Sequence, residues 1–256
     1  MKKQLIYIIG IAAAMFTACE NIDVEDRFVE VEGITSQRVV LLEDYTGQAC
    51  LNCPNAHAEA AALHENYHEN LIVVAIHAGQ QAFLAPMGLK QPEGDEYAAD
   101  AGVESYPAGV INRRGGLKNY QQWGGTVYEE LKRESSLNLT VAATASEASV
   151  AVEVEMEALA DLSGKLQLWL VEDSIKAPQI LPNGTMQADY VHNHIFRDAI
   201  NGTWGEDVTL ALGETKCVSV QEFALDASWN ADNLSVVAFI YNSDGVLQAA
   251  QAKVVK

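Results

Sequence analysis

The feature that most constrains the fold is a pair of cysteines, Cys50 and Cys53, set between an apolar run and an Ala-rich segment. The run 37–45 is continuous and β-rich, which is typical of a strand buried on both faces. The segment 54–67 has apolar residues at helical spacing and begins with a proline, which a first helical turn tolerates. The run 71–78 predicts a second buried strand. Together they predict a right-handed βαβ unit with parallel strands and with the cysteines at the start of its helix.

The predicted position of the two sulfurs favours thiol chemistry. At the start of a helix, unpaired N–H groups and the positive end of the helix dipole stabilise a thiolate. Cys50, the more exposed sulfur, is predicted to attack, and Cys53 to resolve the mixed disulfide. Tyr106 and Pro107 precede a short β run, where thioredoxin-like folds carry a cis-proline beside their cysteines. Cys50, Cys53 and Pro107 are therefore the candidate catalytic residues, and Tyr106 and Ala49 are the candidate substrate contacts.

The activity stays open because the surroundings of the pair are unusual. Ala49 stands where a tryptophan usually precedes the first cysteine, and Leu51 and Asn52 replace the usual Gly-Pro. Cys50 and Cys53 are expected to pair with each other. The pair is then either the centre of a thiol–disulfide oxidoreductase-like protein or a structural disulfide in a non-enzymatic one.

Histidines give a third alternative, copper handling by the cysteine pair and a histidine, because thiolate and imidazole suit Cu(I) or zinc. The predicted helix carries three histidines on one flank, and a fourth ends the second strand. The H-E-x-x-H spacing of zinc proteases also occurs on this helix, as a chance match. Two more histidines alternate on a later strand, where a two-histidine metal site or plain packing is open. These residues are His57, His64, His68, His77, His192 and His194. No metal site and no cofactor is predicted.

The composition of the chain changes near Ser135. From there to residue 254 run seven or eight short β-rich segments, separated by Gly, Asn and Asp clusters. This spacing is typical of an antiparallel β-sandwich, here expected to be immunoglobulin-like. The sequence thus predicts an α/β thioredoxin-like domain over 37–135 followed by an all-β sandwich over 136–256. Cys217, without an obvious partner, is expected to be a buried free thiol.

The N-terminus has the pattern of an export signal. Lys2 and Lys3 precede an apolar run that is shorter than the roughly 20 residues of a membrane span. Cys19, after Thr-Ala, resembles the acylated, palmitate-bearing cysteine of bacterial lipoproteins. We expect a lipoprotein signal peptide over 1–18, an acidic tether over 19–36 and a lipid anchor on Cys19.

The charge of the chain excludes one class of partner. With 35 acidic and 16 basic residues, the formal net charge is -19. A field of that sign repels phosphate, so nucleic acid is not expected to bind. The expected partners are the outer membrane, through the lipid, and exported or surface proteins.

Several stretches resemble the outer membrane protein 28 family of Gram-negative lipoproteins. They are residues 42–48, 50–55, 74–79, 107–113, 190–194 and 201–206. The resemblance implies an outer-membrane lipoprotein, facing the periplasm or the cell surface, with a thioredoxin-like first part and a β-rich second part. It implies no settled activity. Thiol–disulfide exchange on exported proteins is the leading hypothesis, and surface binding, adhesion or assembly without catalysis is its competitor.

Overall fold

The computed structural model describes residues 38–256, which lie in one compact unit. The predicted signal peptide, the acidic tether and the predicted lipidation site at Cys19 fall outside the described residues. In the part of the chain that is described, no helix is long and apolar enough to cross a membrane.

The described residues contain three α-helices, four single-turn 3-10 helices and thirteen strands. The helices are α1 (Cys53–Tyr67), α2 (Pro92–Asp100) and α3 (Trp123–Leu131). The strands are β1 (Val40–Thr46), β2 (Leu71–His77), β3 (Ala108–Ile111), β4 (Leu137–Ala145), β5 (Ser149–Ala158), β6 (Leu162–Glu172), β7 (Ile175–Ile180), β8 (Met186–His192), β9 (Ile195–Ala199), β10 (Glu206–Leu210), β11 (Thr215–Ala224), β12 (Leu234–Asn242) and β13 (Gly245–Val255).

Eleven of the strands form one large mixed sheet. Its order is β11-β5-β4-β13-β12-β6-β9-β2-β1-β3, with β10 paired to β6. Strands β1 and β2 are parallel and joined through α1, as the sequence predicts for this local unit. Strand β3 runs antiparallel to β1. The remaining strands, β7 and β8, form a separate two-stranded hairpin.

The predicted fold class is wrong. The described residues form a mostly β structure with few helices, in which no thioredoxin-like α/β domain followed by a separate immunoglobulin-like sandwich is evident. The physical reason lies in β2, which is buried at every residue and therefore needs a partner on its outer edge. That partner is β9: Ala75 pairs with Ile195, and the Ala75 N–H donates to the carbonyl of His194 at 2.8 Å. The division into domains over 37–135 and 136–256 stays a prediction.

The hydrophobic core also joins the two parts of the sequence. Trp169, Phe196 and Phe239, all from the later strands, pack in one cluster with Tyr45 and Tyr97 from the earlier part. The indole N–H of Trp169 donates to the Tyr97 hydroxyl at 2.9 Å, inside the core. A second cluster lies among the strands β4, β5, β6, β10, β12 and β13. The first cluster stabilises the end of the sheet that carries the cysteines.

Candidate functional site

The two cysteines form a disulfide at the start of α1, and this prediction is confirmed. Their Cα atoms are 5.4 Å apart, and the backbone N–H of Cys53 donates to the Cys50 sulfur at 3.1 Å. Cys53 is fully buried, and Cys50 is only 5% exposed. Between them Leu51 and Asn52 face solvent. The order of exposure is the predicted one, but both sulfurs lie beneath the surface.

A buried glutamine beside the disulfide connects two loops and a hairpin. The Gln48 amide nitrogen donates to the carbonyls of Met87 and Pro178 at 3.0 and 2.9 Å. Its amide oxygen accepts from the N–H of Leu89 at 3.0 Å. Gln48 has no exposed surface, so these bonds replace its hydration. The cysteine loop, the loop before α2 and the β7–β8 hairpin are thereby fixed to one another.

A second buried glutamine, Gln179 of β7, bonds the cysteine loop directly. Its amide nitrogen donates to the carbonyl of Cys50 at 3.1 Å and of Gly47 at 3.4 Å. Next to it, the N–H of Ile180 donates to the Gln48 carbonyl at 2.8 Å. The hairpin therefore covers the cysteine loop through hydrogen bonds. Sequence analysis missed both glutamines, since nothing distinguishes a buried loop glutamine from a solvated one in a single sequence.

Tyr106 and Pro107 lie at the same end of the sheet as the disulfide. The peptide bond between them is cis. The next residue, Ala108, pairs with Tyr45 near the end of β1, just before the cysteine loop. Tyr106 packs against Gly79, where the positive φ of 65° and the approach of the Tyr106 hydroxyl exclude a Cβ. Ala49, Tyr106 and Pro107 are all half-buried, and their predicted roles as substrate contacts and catalytic residue stay predictions.

Apolar side chains project into solvent from the two loops and the hairpin that Gln48 connects. Leu51 is 48% exposed, Leu84 73%, Met87 65% and Met186 59%. Leu51 belongs to the cysteine loop, Leu84 and Met87 to the loop before α2, and Met186 to the hairpin. In these segments the usual arrangement is reversed: two glutamines are buried, and four large apolar side chains are exposed.

A buried carboxyl group lies on the strand that leads into the cysteine loop. Asp44 of β1 is 1% exposed, and burial raises its pKa to about 8. His57 of α1 is its neighbour, with Nε2 4.0 Å from the Asp44 carboxyl. Burial lowers the pKa of His57 to about 3, so the two groups meet as neutral partners rather than as an ion pair. His57 is held by Thr46 Oγ1 at 2.8 Å and by the Tyr190 hydroxyl at 3.1 Å.

A cavity of about 250 Å³ opens beside these groups. Alanines of α1 and residues of β2 and β9 give its apolar lining. Its polar lining consists of Asp44, His57, Tyr190, His192, Asn193 and His194. One oxygen of Asp44 has no hydrogen-bond partner. Cavity and disulfide both border the start of α1, since Pro54 lines the former.

The predicted histidine groups separate in the structure. His192 ends β8 and faces His57 and His77, with ring centroids 6.1 and 5.3 Å away. His194 lies after the strand at a φ of 59°, and its Nδ1 lies 3.1 Å from Asp173. It lines the same cavity as His192. His64 of the H-E-x-x-H match bonds the backbone carbonyl of Leu71 at 3.0 Å.

Within residues 38–256, no three His, Cys, Asp or Glu side chains are grouped to hold a metal ion. Copper handling by Cys50, Cys53 and a histidine therefore finds no support in the described residues.

Cys217 is exposed, and its predicted burial is wrong. It lies on β11, an edge strand that pairs only with β5 and has no fully buried residue. The alternating pattern of β11 indicated a strand correctly, but an edge strand leaves such side chains in solvent.

These features define a mostly β protein that is built on one large mixed sheet and carries a disulfide at the start of its first helix. The model of one family, outer membrane protein Omp28, matches residues 94–256. The chain belongs to this family, as its sequence resemblance implies, and it is an outer-membrane-associated protein. The match begins after the cysteine pair, so membership carries no information on those residues.

Two solved structures are similar in fold. HBP35 of Porphyromonas gingivalis has a TM-score of 0.70 at 16% identity, covering 86% of this chain and 76% of its own. An Agrobacterium tumefaciens protein solved by a structural genomics consortium has a TM-score of 0.53 at 14% identity, covering 84% and 95%. No curated protein matches the chain. At these identities the likeness concerns the fold alone.

Proposed function

We propose that this outer-membrane-associated protein exchanges its Cys50–Cys53 disulfide with thiols of exported or surface proteins. The observation that carries the proposal is the position of the disulfide at the start of α1, with the Cys53 N–H directed at the Cys50 sulfur at 3.1 Å. When the bond is open, that N–H and the helix dipole stabilise a thiolate on Cys50. A stabilised thiolate is the leaving group that makes exchange fast.

The exchange balances without a cofactor. A partner thiolate attacks the Cys50 sulfur, and the Cys53 sulfur leaves as a thiolate. A second thiolate of the partner then attacks its own sulfur in the mixed disulfide and releases Cys50. The partner is oxidised by two electrons, and the pair is reduced by two. Run backwards, the same steps reduce a partner disulfide.

The exposed apolar groups around the disulfide suit a polypeptide partner. Leu51 is exposed on the cysteine loop, and Leu84, Met87 and Met186 are exposed on the loop and the hairpin to which Gln48 bonds. Exposed apolar patches mark interaction sites. We propose that the protein is anchored to the outer membrane by a lipid on Cys19, on the periplasmic or the cell-surface face, where such partners pass.

The burial of Cys50 supports a second candidate function. At 5% exposure its sulfur is shielded by the cysteine loop and the hairpin. A shielded disulfide is typical of a structural bond. The alternative is a surface binding or assembly protein in which the bond only fixes the loop that displays Leu51.

The two functions differ in the reduction potential of the pair. Exchange predicts a value in the range of catalytic dithiols, roughly -270 to -120 mV, and a structural bond one below about -300 mV. Equilibration of the full chain with glutathione buffers, read as the fraction of free thiol, measures it. The Cys19→Ser, Cys217→Ser double variant removes the two other thiols from the count.

Trapping tests the role of each cysteine. The Cys53→Ser variant should accumulate mixed disulfides through Cys50 in cells. The Cys50→Ser variant is the matched control and should accumulate fewer. Equal or absent trapping in the two variants, together with a potential below about -300 mV, would leave only the structural role.

A further inference from the structure

Two of the stretches that carry the family resemblance, 107–113 and 201–206, meet at a second cavity. Val110 and Arg113 line it from the first stretch, and Trp204 lines it from the second. The cavity has a volume of about 220 Å³. Among the described residues, neither cysteine lines it, and it shares no lining residue with the first cavity. It is therefore a separate candidate site.

Arg113 lines this cavity with part of its hydrogen-bonding capacity unused. Its Nε donates to the carboxylate of Glu43 at 2.7 Å, and Glu43 also accepts from the Tyr45 hydroxyl at 2.9 Å. The terminal nitrogens of Arg113 donate to no residue within 38–256, and they are not sealed from solvent. The N–H groups on these nitrogens are thus available to a ligand that carries an acceptor.

Aromatic rings hold the guanidinium group of Arg113 in place. Its central carbon lies 4.4 Å from the centroid of the Tyr241 ring and 5.0 Å from that of the Phe239 ring. The ring centroids of Trp169 and Tyr97 lie 5.4 and 5.8 Å away. Such contacts attract the cation to the rings. The donor is therefore positioned before a ligand arrives, so little ordering opposes binding.

The backbone at Arg113 is also unusual. Asn112 and Arg113 both have a φ of 49°, in the left-handed region that residues other than glycine rarely adopt. The side chain of Asn112 holds it there, because its oxygen accepts from the Leu41 N–H at 2.8 Å and its nitrogen donates to Glu130 at 2.9 Å. Strained backbone of this kind clusters at ligand sites. Two successive strained residues that position one arginine support a binding role for that arginine.

The outer part of the cavity adds an aromatic surface and an acceptor. Trp204 is 37% exposed, and its ring meets the Tyr97 ring edge to face at 5.3 Å. The Trp204 carbonyl accepts from the Tyr241 hydroxyl at 2.8 Å, which fixes its backbone. Asp100, the last residue of α2, also lines the cavity and is exposed. A ligand therefore meets a donor, an acceptor and an aromatic ring.

The charges around the cavity select a neutral ligand. Glu43 already pairs with Arg113, and both Asp100 and the net charge of -19 repel an anion. A cation would meet the guanidinium group of Arg113. Hydroxyl groups both donate and accept, so a neutral ligand that carries them satisfies Arg113 and Asp100 together. A sugar ring has several hydroxyl groups beside an apolar C–H face, which suits the Trp204 ring.

We infer that this cavity binds a saccharide through one neutral sugar ring, with Trp204 against the C–H face and with Arg113 and Asp100 on the hydroxyl groups. The site uses neither cysteine, so the inference does not depend on the proposed thiol exchange.

Saturation-transfer-difference NMR on the full chain tests the inference with the neutral sugars glucose, galactose, mannose and N-acetylglucosamine. At least one of them should receive saturation from the protein. Trp204→Ala should weaken its binding about tenfold or more, and Asp100→Asn about threefold. Asp189→Asn, which changes an exposed aspartate outside the cavity, should bind as the parent does. No binding of any of these sugars, or equal binding by Trp204→Ala and the parent, refutes the site.

A second measurement uses the parent protein, so it does not depend on the folding of any variant. ¹H–¹⁵N spectra resolve the indole N–H groups of the tryptophans. The sugar that binds best should shift the signal of Trp204 and leave that of Trp229, which lies outside the cavity, in place. A shift of Trp229 alone, or no shift, overturns the site. Glucuronate is run in parallel, and binding as tight as that of the best neutral sugar overturns the choice of a neutral ligand.

Discussion

Replacing Asp44 by asparagine should stabilise the protein, and increasingly so as the pH rises. Burial raises the pKa of Asp44 to about 8 from its ordinary value of 3.8. Between about pH 4 and pH 8 the folded protein therefore keeps a proton that the unfolded chain has released. Stability falls with pH wherever the folded state binds more protons, at about 1.4 kcal/mol for each pH unit. The cost of keeping Asp44 reaches about 5 kcal/mol at pH 8 and is near zero at pH 4.

The buried histidines act on stability in the opposite direction. Burial lowers the pKa of His57 to about 3 and that of His192 to about 4. Their stabilising effect is complete above the unfolded pKa of about 6.5 and is lost as the pH falls towards the folded pKa. Both the parent and the Asp44→Asn protein keep these histidines. The difference between the two proteins therefore isolates the carboxyl group.

Urea unfolding at pH 4, 6 and 8, followed by tryptophan fluorescence, measures that difference. The gain in the free energy of unfolding should be small at pH 4 and grow to several kcal/mol at pH 8. Asp189→Asn is the control, because Asp189 is exposed and surface changes stay within about 0.5 kcal/mol. A gain that is independent of pH, or a loss that grows with pH, shows that Asp44 is ionised in the folded protein and refutes the reasoning.

Three further experiments test the hairpin cover, the shared core and the exposure of Cys217. Gln179→Ala removes the side-chain hydrogen bonds from the hairpin to the cysteine loop and should cost about 1–3 kcal/mol. It should also speed reduction of the disulfide by dithiothreitol, and an unchanged rate would show that the hairpin does not shield the bond. Trp169→Ala should cost roughly 3–5 kcal/mol, because it leaves a cavity and removes the indole N–H that donates to the Tyr97 hydroxyl, which keeps its bond to the Thr203 carbonyl. Urea unfolding measures the loss, and a loss under about 1 kcal/mol contradicts the shared core. Cys217 should react with Ellman's reagent in the folded Cys19→Ser protein, giving one thiol per chain, and no reaction without denaturant contradicts its exposure.

The local elements of the first part follow from the sequence. The runs at 37–45, 54–67 and 71–78 become β1, α1 and β2 with small shifts at their ends. These elements are set by short-range signals: continuous apolar runs, helical spacing and a proline at the first turn. The disulfide follows from the spacing of its cysteines at the start of the helix.

The partner of each strand does not follow from the sequence. The apolar run indicates that β2 is buried, but it does not indicate that β9 pairs with it. A single expected strand near residues 190–196 is in fact the end of β8 and the start of β9, separated by a turn at His194. The sequence interpretation therefore limited the first sheet to the strands of the first part and assigned the later strands to a different fold class.

The part of the site that sequence analysis missed is the hairpin. Strand β7 is short and contains Pro178, which argues against a strand in a pattern-based interpretation. Proline is tolerated there because the hairpin is a separate two-stranded sheet, so both of its strands are edge strands. The cover of the disulfide and the position of His192 both depend on this hairpin.

The pairing of β2 with β9 sets the order in which the chain can mature during export. Residue 75 emerges early, and its neighbour at residue 195 emerges only when most of the chain has been delivered. Until then β2 has an unpaired edge and α1 packs on an incomplete sheet. The two cysteines are therefore exported in a segment that is still unfolded. The disulfide either forms late, inside an almost finished protein, or is installed early by other oxidants and then enclosed. A chain cut before β9 should consequently be degraded or aggregate rather than persist as a smaller working unit.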